Sequence, residues 1–231
     1  MPKFTKNSPI TPSSSPPLMP LLQLKPLSST SLLGLWQVAE SIETLEEQLL
    51  SLRPDHHLPF FKAETRTKEW LAARLLAYTL LEKLGAPNLY LQSLETGEPT
   101  CSDASWQVSL THSAGWVGAL VSCSHRVGID IEILGTKAPR LAPRFLNEEE
   151  LAAAADDPEK MHLYWSAKET LYKVYRHRKL DFQENLLLQN FERKPTGIFS
   201  GRIVTGAFDQ SYEVQYEVHP AYVLTYVLAP L

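Results

Sequence analysis

Gly128-Ile129-Asp130-Ile131-Glu132 is the stretch on which the fold turns. In a strand over residues 127–134 side chains alternate between faces, so Ile129 and Ile131 point one way and Asp130 and Glu132 the other. The two carboxylates then lie about 7 Å apart on a rigid element. They repel unless a cation or a basic group lies between them, and an oxygen-only donor set suits hard Mg²⁺. An exposed acidic strand face accounts for the same spacing, because antiparallel strands often keep one face in water.

Reading backwards from this strand, residues 106–111 and 116–122 form two antiparallel strands joined near Gly115. Before them stands a helix over residues 65–84, with Leu71, Leu75, Tyr78 and Leu81 at helical spacing and Gly85 then Pro87 as its stop. A shorter helix runs from a Ser41 cap to Leu52, ended by Pro54, and a strand covers residues 32–38. Reading forwards, Asn147 with Glu150 makes a capping box, and Asp157-Pro158 opens a long helix to residue 178. Residues 212–219 alternate, with Val214, Tyr216 and Val218 on one face, and residues 222–228 return after Pro220. The expectation is an α+β fold of two similar β-α-α-β-β lobes related by a pseudo-twofold, with the active site between them. Trp70-Leu71-Ala72-Ala73-Arg74 echoes Trp165-Ser166-Ala167-Lys168-Glu169, which would make Arg74 and Glu169 pseudo-equivalent at the seam.

The long helix carries an apolar stripe of Met161, Tyr164, Trp165, Leu171, Tyr172 and Tyr175. Beside it runs a polar stripe of His162, Glu169, Lys173 and Arg176. Glu169, flanked by Lys168 and facing Lys173 and Arg176, has metal-ligand and phosphate-binding potential, though an ordinary surface Glu–Lys pair explains the helix alone. Leu110-Thr111-His112-Ser113 brings hydroxyls, an imidazole and backbone N–H groups to a strand end, all able to contact phosphate; a structural histidine is the alternative. No Gly-x-Ser-x-Gly elbow, Walker loop or Gly-x-Gly-x-x-Gly is present.

Composition bounds the function. The 231 residues carry a formal charge of −4, which argues against broad nucleic-acid binding, and 44% hydrophobic content can fill a core. Six acids and no base fall in residues 146–159, followed in 160–179 by six Lys/Arg and one Glu. Cys101 and Cys123 make neither a disulfide framework nor a zinc knuckle, and no apolar run is long enough for a membrane span. A cytoplasmic monomer is expected. Residues 1–30 hold seven prolines, and disorder is expected at least to Pro17, with no signal-peptide pattern. A start at Met19 is a plausible consequence. The expected organisation is a disordered extension over 1–18, an N-terminal lobe over 19–124 and a C-terminal lobe over 125–231.

Thr-His-Ser at a strand end, Gly-Ile-Asp-Ile-Glu about 16 residues on, and Trp165-Ser166-Ala167-Lys168-Glu169-Thr170-Leu171-Tyr172-Lys173 about 33 further together resemble the signature of the Sfp-type 4′-phosphopantetheinyl transferases. Arg144-Phe145-Leu146 and Lys179-Leu180-Asp181-Phe182 extend the resemblance, which spans residues 70–182. It implies that family's two-lobed fold with coenzyme A between the lobes, and transfer of 4′-phosphopantetheine to a serine of an apo acyl- or peptidyl-carrier protein, releasing adenosine 3′,5′-bisphosphate. By the same resemblance Asp130, Glu132 and Glu169 would hold Mg²⁺. Lys173, His112 and Thr111 would contact the phosphates, joined by Arg74 and Lys62; Thr111 stands where the family more often has serine. Catalysis would rest on Lys173 and on Glu169, with either Glu169 or a metal-held water as base. The family's Gly-Lys-Pro turn is here Gly97-Glu98-Pro99, which implies weaker coenzyme A binding or compensation by another basic residue. A non-catalytic binder of coenzyme A or a carrier protein, and an unrelated Mg²⁺-dependent phosphohydrolase, are the competing readings.

Overall fold

The computed structural model describes residues 21–94, 97–177 and 180–231. The extension over 1–18, Lys179 and the expected helix end at residue 178 lie outside them. Two antiparallel sheets organise the chain. The first is built from β1 (Leu21–Ser28), β2 (Ser31–Gln37), and, after α1 (Ile42–Leu52), α2 (Glu64–Lys83) and the small hairpin β3 (Leu91–Ser93)–β4 (Pro99–Cys101), from β5 (Gln107–Ser113) and β6 (Trp116–Ser122). Its strand order is β1-β2-β6-β5. The second begins with β7 (His125–Ile133). It continues through α3 (Lys137–Leu141), a 3₁₀ turn (Ala142–Arg144), α4 (Glu148–Ala154) and α5 (Pro158–Tyr175) to β8 (Leu186–Leu188), β9 (Thr196–Val204), β10 (Asp209–Val218) and β11 (Tyr222–Pro230). Its order is β7-β11-β10-β9-β8. The mixed helix-and-sheet class matches the expected one.

The helices start where their caps dictate. Ser41 accepts from the Thr44 N–H, Asn147 and Glu150 form the reciprocal capping box, and Asp157 accepts from Glu159 and Lys160 with Pro158 in the first turn. Leu71, Leu75, Tyr78 and Leu81 of α2 are buried against the first sheet, and α5 packs on the second. α5 ends at Tyr175, earlier than the residue periodicity predicts, because Arg176 takes a left-handed φ of 57°. β1, the β3–β4 hairpin, β8 and β9 are additional to the expected strands. β1 lies in the proline-rich region, and it tolerates Pro26 because it is an edge strand with a register shift there.

Three apolar cores result: one under α1 and α2, one under α5, and one between the sheets. The last packs Leu33, Leu35 and Leu120 against Ile129, Ile131, Tyr222 and Leu224. Lys25 on β1 reaches across to Glu217 (2.6 Å) and the Tyr226 hydroxyl (2.8 Å), tying the first strand to the second sheet.

The two sheets also meet edge to edge. β5 and β7 are outer strands, and they run in the same direction with a constant offset of 20 residues. In place of a backbone ladder, the hydroxyls of Ser109, Thr111 and Ser113 accept the Ile129, Ile131 and Ile133 N–H groups at 3.1, 3.1 and 3.4 Å. An edge that would otherwise present bare donors is thereby satisfied. On its other side β7 is pressed against α5: a Cβ on Gly128 would stand 2.4 Å from the Thr170 carbonyl oxygen and 2.6 Å from a Val174 methyl. Backbone cannot yield as a side chain can, so Gly128→Ala should lower stability by about 3 kcal/mol. Urea unfolding should show a reduced midpoint with an unchanged slope.

Candidate active site

Asp130 and Glu132 project from β7 toward α5. Asp130 is 5% exposed, and its Oδ1 accepts from the Thr111 hydroxyl (3.0 Å) and from Lys173 Nζ (2.8 Å). Its Oδ2 is buried with no partner. Glu132 accepts from the Trp165 indole N–H at 2.8 Å. Burial and the Asp130 charge push its carboxyl up to about 7, with Glu169 adding in the same sense. Glu169, on α5, is likewise raised by burial and by Asp130, against the pull of Lys173 and Lys137. Two carboxyls raised by burial and by a neighbouring charge, beside a third that keeps an oxygen buried without a partner among the described residues, form a donor set with the chemistry of a hard divalent cation site. Among the described residues no three acidic, histidine or cysteine side chains converge tightly enough to enclose a metal, and the Lys173 ammonium supplies the positive charge beside Asp130. By chemistry the donor set suits the ion, and in this structure Asp130 is paired with the Lys173 ammonium at 2.8 Å.

The alternation of β5 sorts its residues. Ser109, Thr111 and Ser113 face β7, while Val108 and Leu110 pack toward α2. His112 falls on the α2 side, with Nδ1 3.0 Å from Glu69 Oε2 and Nε2 against Arg66 Nη1. The Arg74 guanidinium lies 3.6 Å from the Trp70 ring centroid; burial lowers it to about 10, so it remains a cation at neutral pH. Arg66, Trp70, Arg74 and His112 line a cleft of about 840 Å³. It adjoins, through Arg66, Gly97, Pro99 and Leu110, a second hollow of about 550 Å³ that holds Glu169, Lys173 and Arg176. The two adjoining hollows thus run from α2 to Glu169, Lys173 and Arg176 on and beside α5.

Residues 126–227 match the family model described as the 4′-phosphopantetheinyl transferase superfamily, and residues 62–122 match that of the 4′-phosphopantetheinyl transferase N-terminal domain, together more than half of the chain. The chain belongs to the 4′-phosphopantetheinyl transferase superfamily. No curated protein matches it.

Of the residues singled out in the sequence, Lys173 is paired with Asp130, Glu132 and Glu169 both feel the Asp130 charge, and Arg74 and His112 line the adjoining cleft. Thr111 differs from expectation: it is 3% exposed, and its hydroxyl is engaged with Asp130 and the Ile131 N–H, so it supports the carboxylate from behind. Lys62 is exposed in the approach to α2, and the basic residue lining the cleft from this region is Arg66, one turn further on. His162, read as part of the polar stripe, is buried and structural, with Nδ1 bound to the Pro158 carbonyl and Nε2 accepting from the Gly135 N–H. Lys168 is fully buried; it donates to Glu150 Oε2 and the Phe182 carbonyl, both at 2.6 Å, and so ties α5 to the α4 cap and to the segment after α5. Glu98 lines the second hollow with Arg176, whose guanidinium burial lowers and the Glu98 charge supports against that burial.

Glu69 and Arg66 escaped the sequence reading, which takes Trp165 only as part of the apolar stripe and the motif, not as a donor to Glu132. The signal for the first two was present: at positions 66, 69, 70 and 74 they share one face of α2 with Trp70 and Arg74.

At the far end of the cleft, His56 bonds the Tyr78 hydroxyl at 3.0 Å. Burial, and after it Arg74 and Arg53, lower His56 from 6.5 to about 4. The unfolded chain therefore binds a proton between these values that the folded chain refuses. The stability contribution is intact above pH 6.5 and is lost as pH falls to 4. His56→Gln should flatten the decline in urea midpoint over that interval relative to wild type.

Proposed function

We propose that the protein transfers 4′-phosphopantetheine from coenzyme A to a serine of an apo acyl- or peptidyl-carrier protein, with Mg²⁺, releasing adenosine 3′,5′-bisphosphate, as in the Sfp-type enzymes it resembles. The observation that carries this reading is the unpartnered buried Oδ2 of Asp130, whose other oxygen is held by Lys173; Lys173 and Glu169 in turn line a hollow that adjoins the cleft of Arg66, Arg74 and His112. A polyanion with a divalent counter-ion answers both halves of that charge distribution.

Asp130, Glu132 and Glu169 would hold the Mg²⁺, which when bound neutralises charge on the diphosphate and stabilises the departing phosphate. Lys173, whose ammonium donates to Asp130 Oδ1 and the Ile129 carbonyl, adds a positive charge at the same place. Arg66, Arg74 and His112 anchor the nucleotide end of coenzyme A, and Arg176 offsets the Glu98 that stands where a family lysine is expected. Either Glu169 or a water held by the metal takes the serine proton: burial and Asp130 raise the Glu169 carboxyl, and coordination of a cation would draw that basicity down again. The serine oxygen bonds to the pantetheine-side phosphorus, and the bond from that phosphorus to the bridging oxygen breaks, leaving the nucleotide with a terminal phosphate. Trp165 fixes Glu132, and Thr111 fixes Asp130, so neither carboxylate needs to reorganise.

Both walls of the cleft come from one chain, which supports a monomer. β6 ends at Ser122 in one sheet and β7 begins at His125 in the other, which supports lobes divided near residue 124. Free Cys101 and Cys123 agree with a cytoplasmic location. Among the described residues no helix is long and apolar enough to cross a membrane. Glu98 alone favours a non-catalytic binder; the retained carboxylates and Lys173 favour the enzyme.

Incubation with coenzyme A, Mg²⁺ and an apo carrier protein should add one phosphopantetheine to the carrier by mass spectrometry. Asp130→Asn and Glu169→Gln should each reduce the rate at least ~100-fold while circular dichroism stays unchanged. EDTA should abolish transfer and Mg²⁺ restore it. A panel of carrier proteins left unmodified contradicts the enzyme reading.

A further inference from the structure

We propose that Glu69 is a positioning residue for His112, holding its imidazole in the Nδ1–H form so that Nε2 points into the cleft toward a phosphate of bound coenzyme A. The proposal rests on the cleft being the coenzyme A site. Glu69 is held on both sides: Oε2 lies 3.0 Å from His112 Nδ1, and Oε1 accepts from the Gly115 N–H at 3.2 Å, so α2 is fastened to the β5–β6 turn. Its side chain is 13% exposed against 39% for His112. A carboxylate bordering a polyanion site repels the ligand unless its oxygens are committed to protein donors, and both of these are.

The tautomer follows from the neighbours. A carboxylate only accepts, so the nitrogen facing Glu69 carries the proton and, in the neutral ring, Nε2 on the Arg66 side carries the lone pair. Donation to phosphate then needs a second proton, taken from solvent onto Nε2 as Arg66 turns from the ring to the ligand. Burial, and after it Arg66 and Lys173, hold the free imidazole below its ordinary range, while Glu69 and Asp130 favour the second proton. Of the two carboxylates, Glu69 is the one in hydrogen-bond contact.

Glu69→Gln retains an oxygen for the Gly115 N–H but loses the charge and presents an amide donor to Nδ1. In steady-state transfer assays its KM for coenzyme A should rise about tenfold, more steeply at higher pH, with kcat changed less than twofold. ¹⁵N NMR of the ligand-free wild type should show His112 as the Nδ1–H tautomer, and Glu69→Gln should lose it. In a His112→Gln background, Glu69→Gln should add less than about a twofold effect. An unchanged KM, a full Glu69 effect without His112, or a wild-type His112 in the Nε2–H form overturns the proposal while coenzyme A binding still stands. Wild-type protein that binds no coenzyme A overturns the functional reading beneath it, and the proposal with it.

Discussion

The hydroxyl ladder from β5 to β7 is the contact on which the site depends. Two sheets that each end in an open strand are aligned by Ser109, Thr111 and Ser113, with no shared backbone ladder. The alignment is tight because each hydroxyl meets an N–H that would otherwise be buried unpaired, at a cost of about 1–3 kcal/mol apiece. Thr111 does more than close the edge: the same oxygen that accepts from Ile131 donates to Asp130, so the join between the sheets also sets the angle of the central carboxylate. From the opposite side, Gly128 lets α5 come close enough for Trp165 and Lys173 to reach Glu132 and Asp130.

The long-range elements were legible where a local rule governed them. Caps at Ser41, Asn147 and Asp157 and the apolar spacing of α2 are properties of short windows, and the helices start where those windows place them. The carboxylates were legible because strand alternation alone puts Asp130 and Glu132 on one face. β1 was not, since Pro26 and a polar flank read as loop, and only its edge position and its Lys25 contacts with Glu217 and Tyr226 explain it. The burial of Lys168 and the withdrawal of Thr111 behind Asp130 were equally hidden, because both depend on partners at least 14 residues away.

Charge follows the same division between local and distant. The acidic block before α5 and the basic block within it suggest a dipolar surface, yet part of each is spent internally. Lys168 neutralises Glu150 in the core, and Arg193 binds Asp157 and Glu159. What remains for a ligand is a narrower set: Arg66, Arg74, Lys173 and Arg176 along the two adjoining hollows, which Glu69, Glu98 and Glu169 also line. A chain of net charge −4 thereby still offers an anion a set of cations.

The central claim is that the join between the sheets holds Asp130 for a divalent cation. Calorimetric titration of coenzyme A into wild-type protein and Thr111→Val, each with and without Mg²⁺, tests it most directly. Mg²⁺ should tighten binding to the wild type about tenfold or more and have little effect on the variant, whose Asp130 has lost its hydroxyl donor. Equal Mg²⁺ enhancement in the two proteins, or none in the wild type, contradicts it.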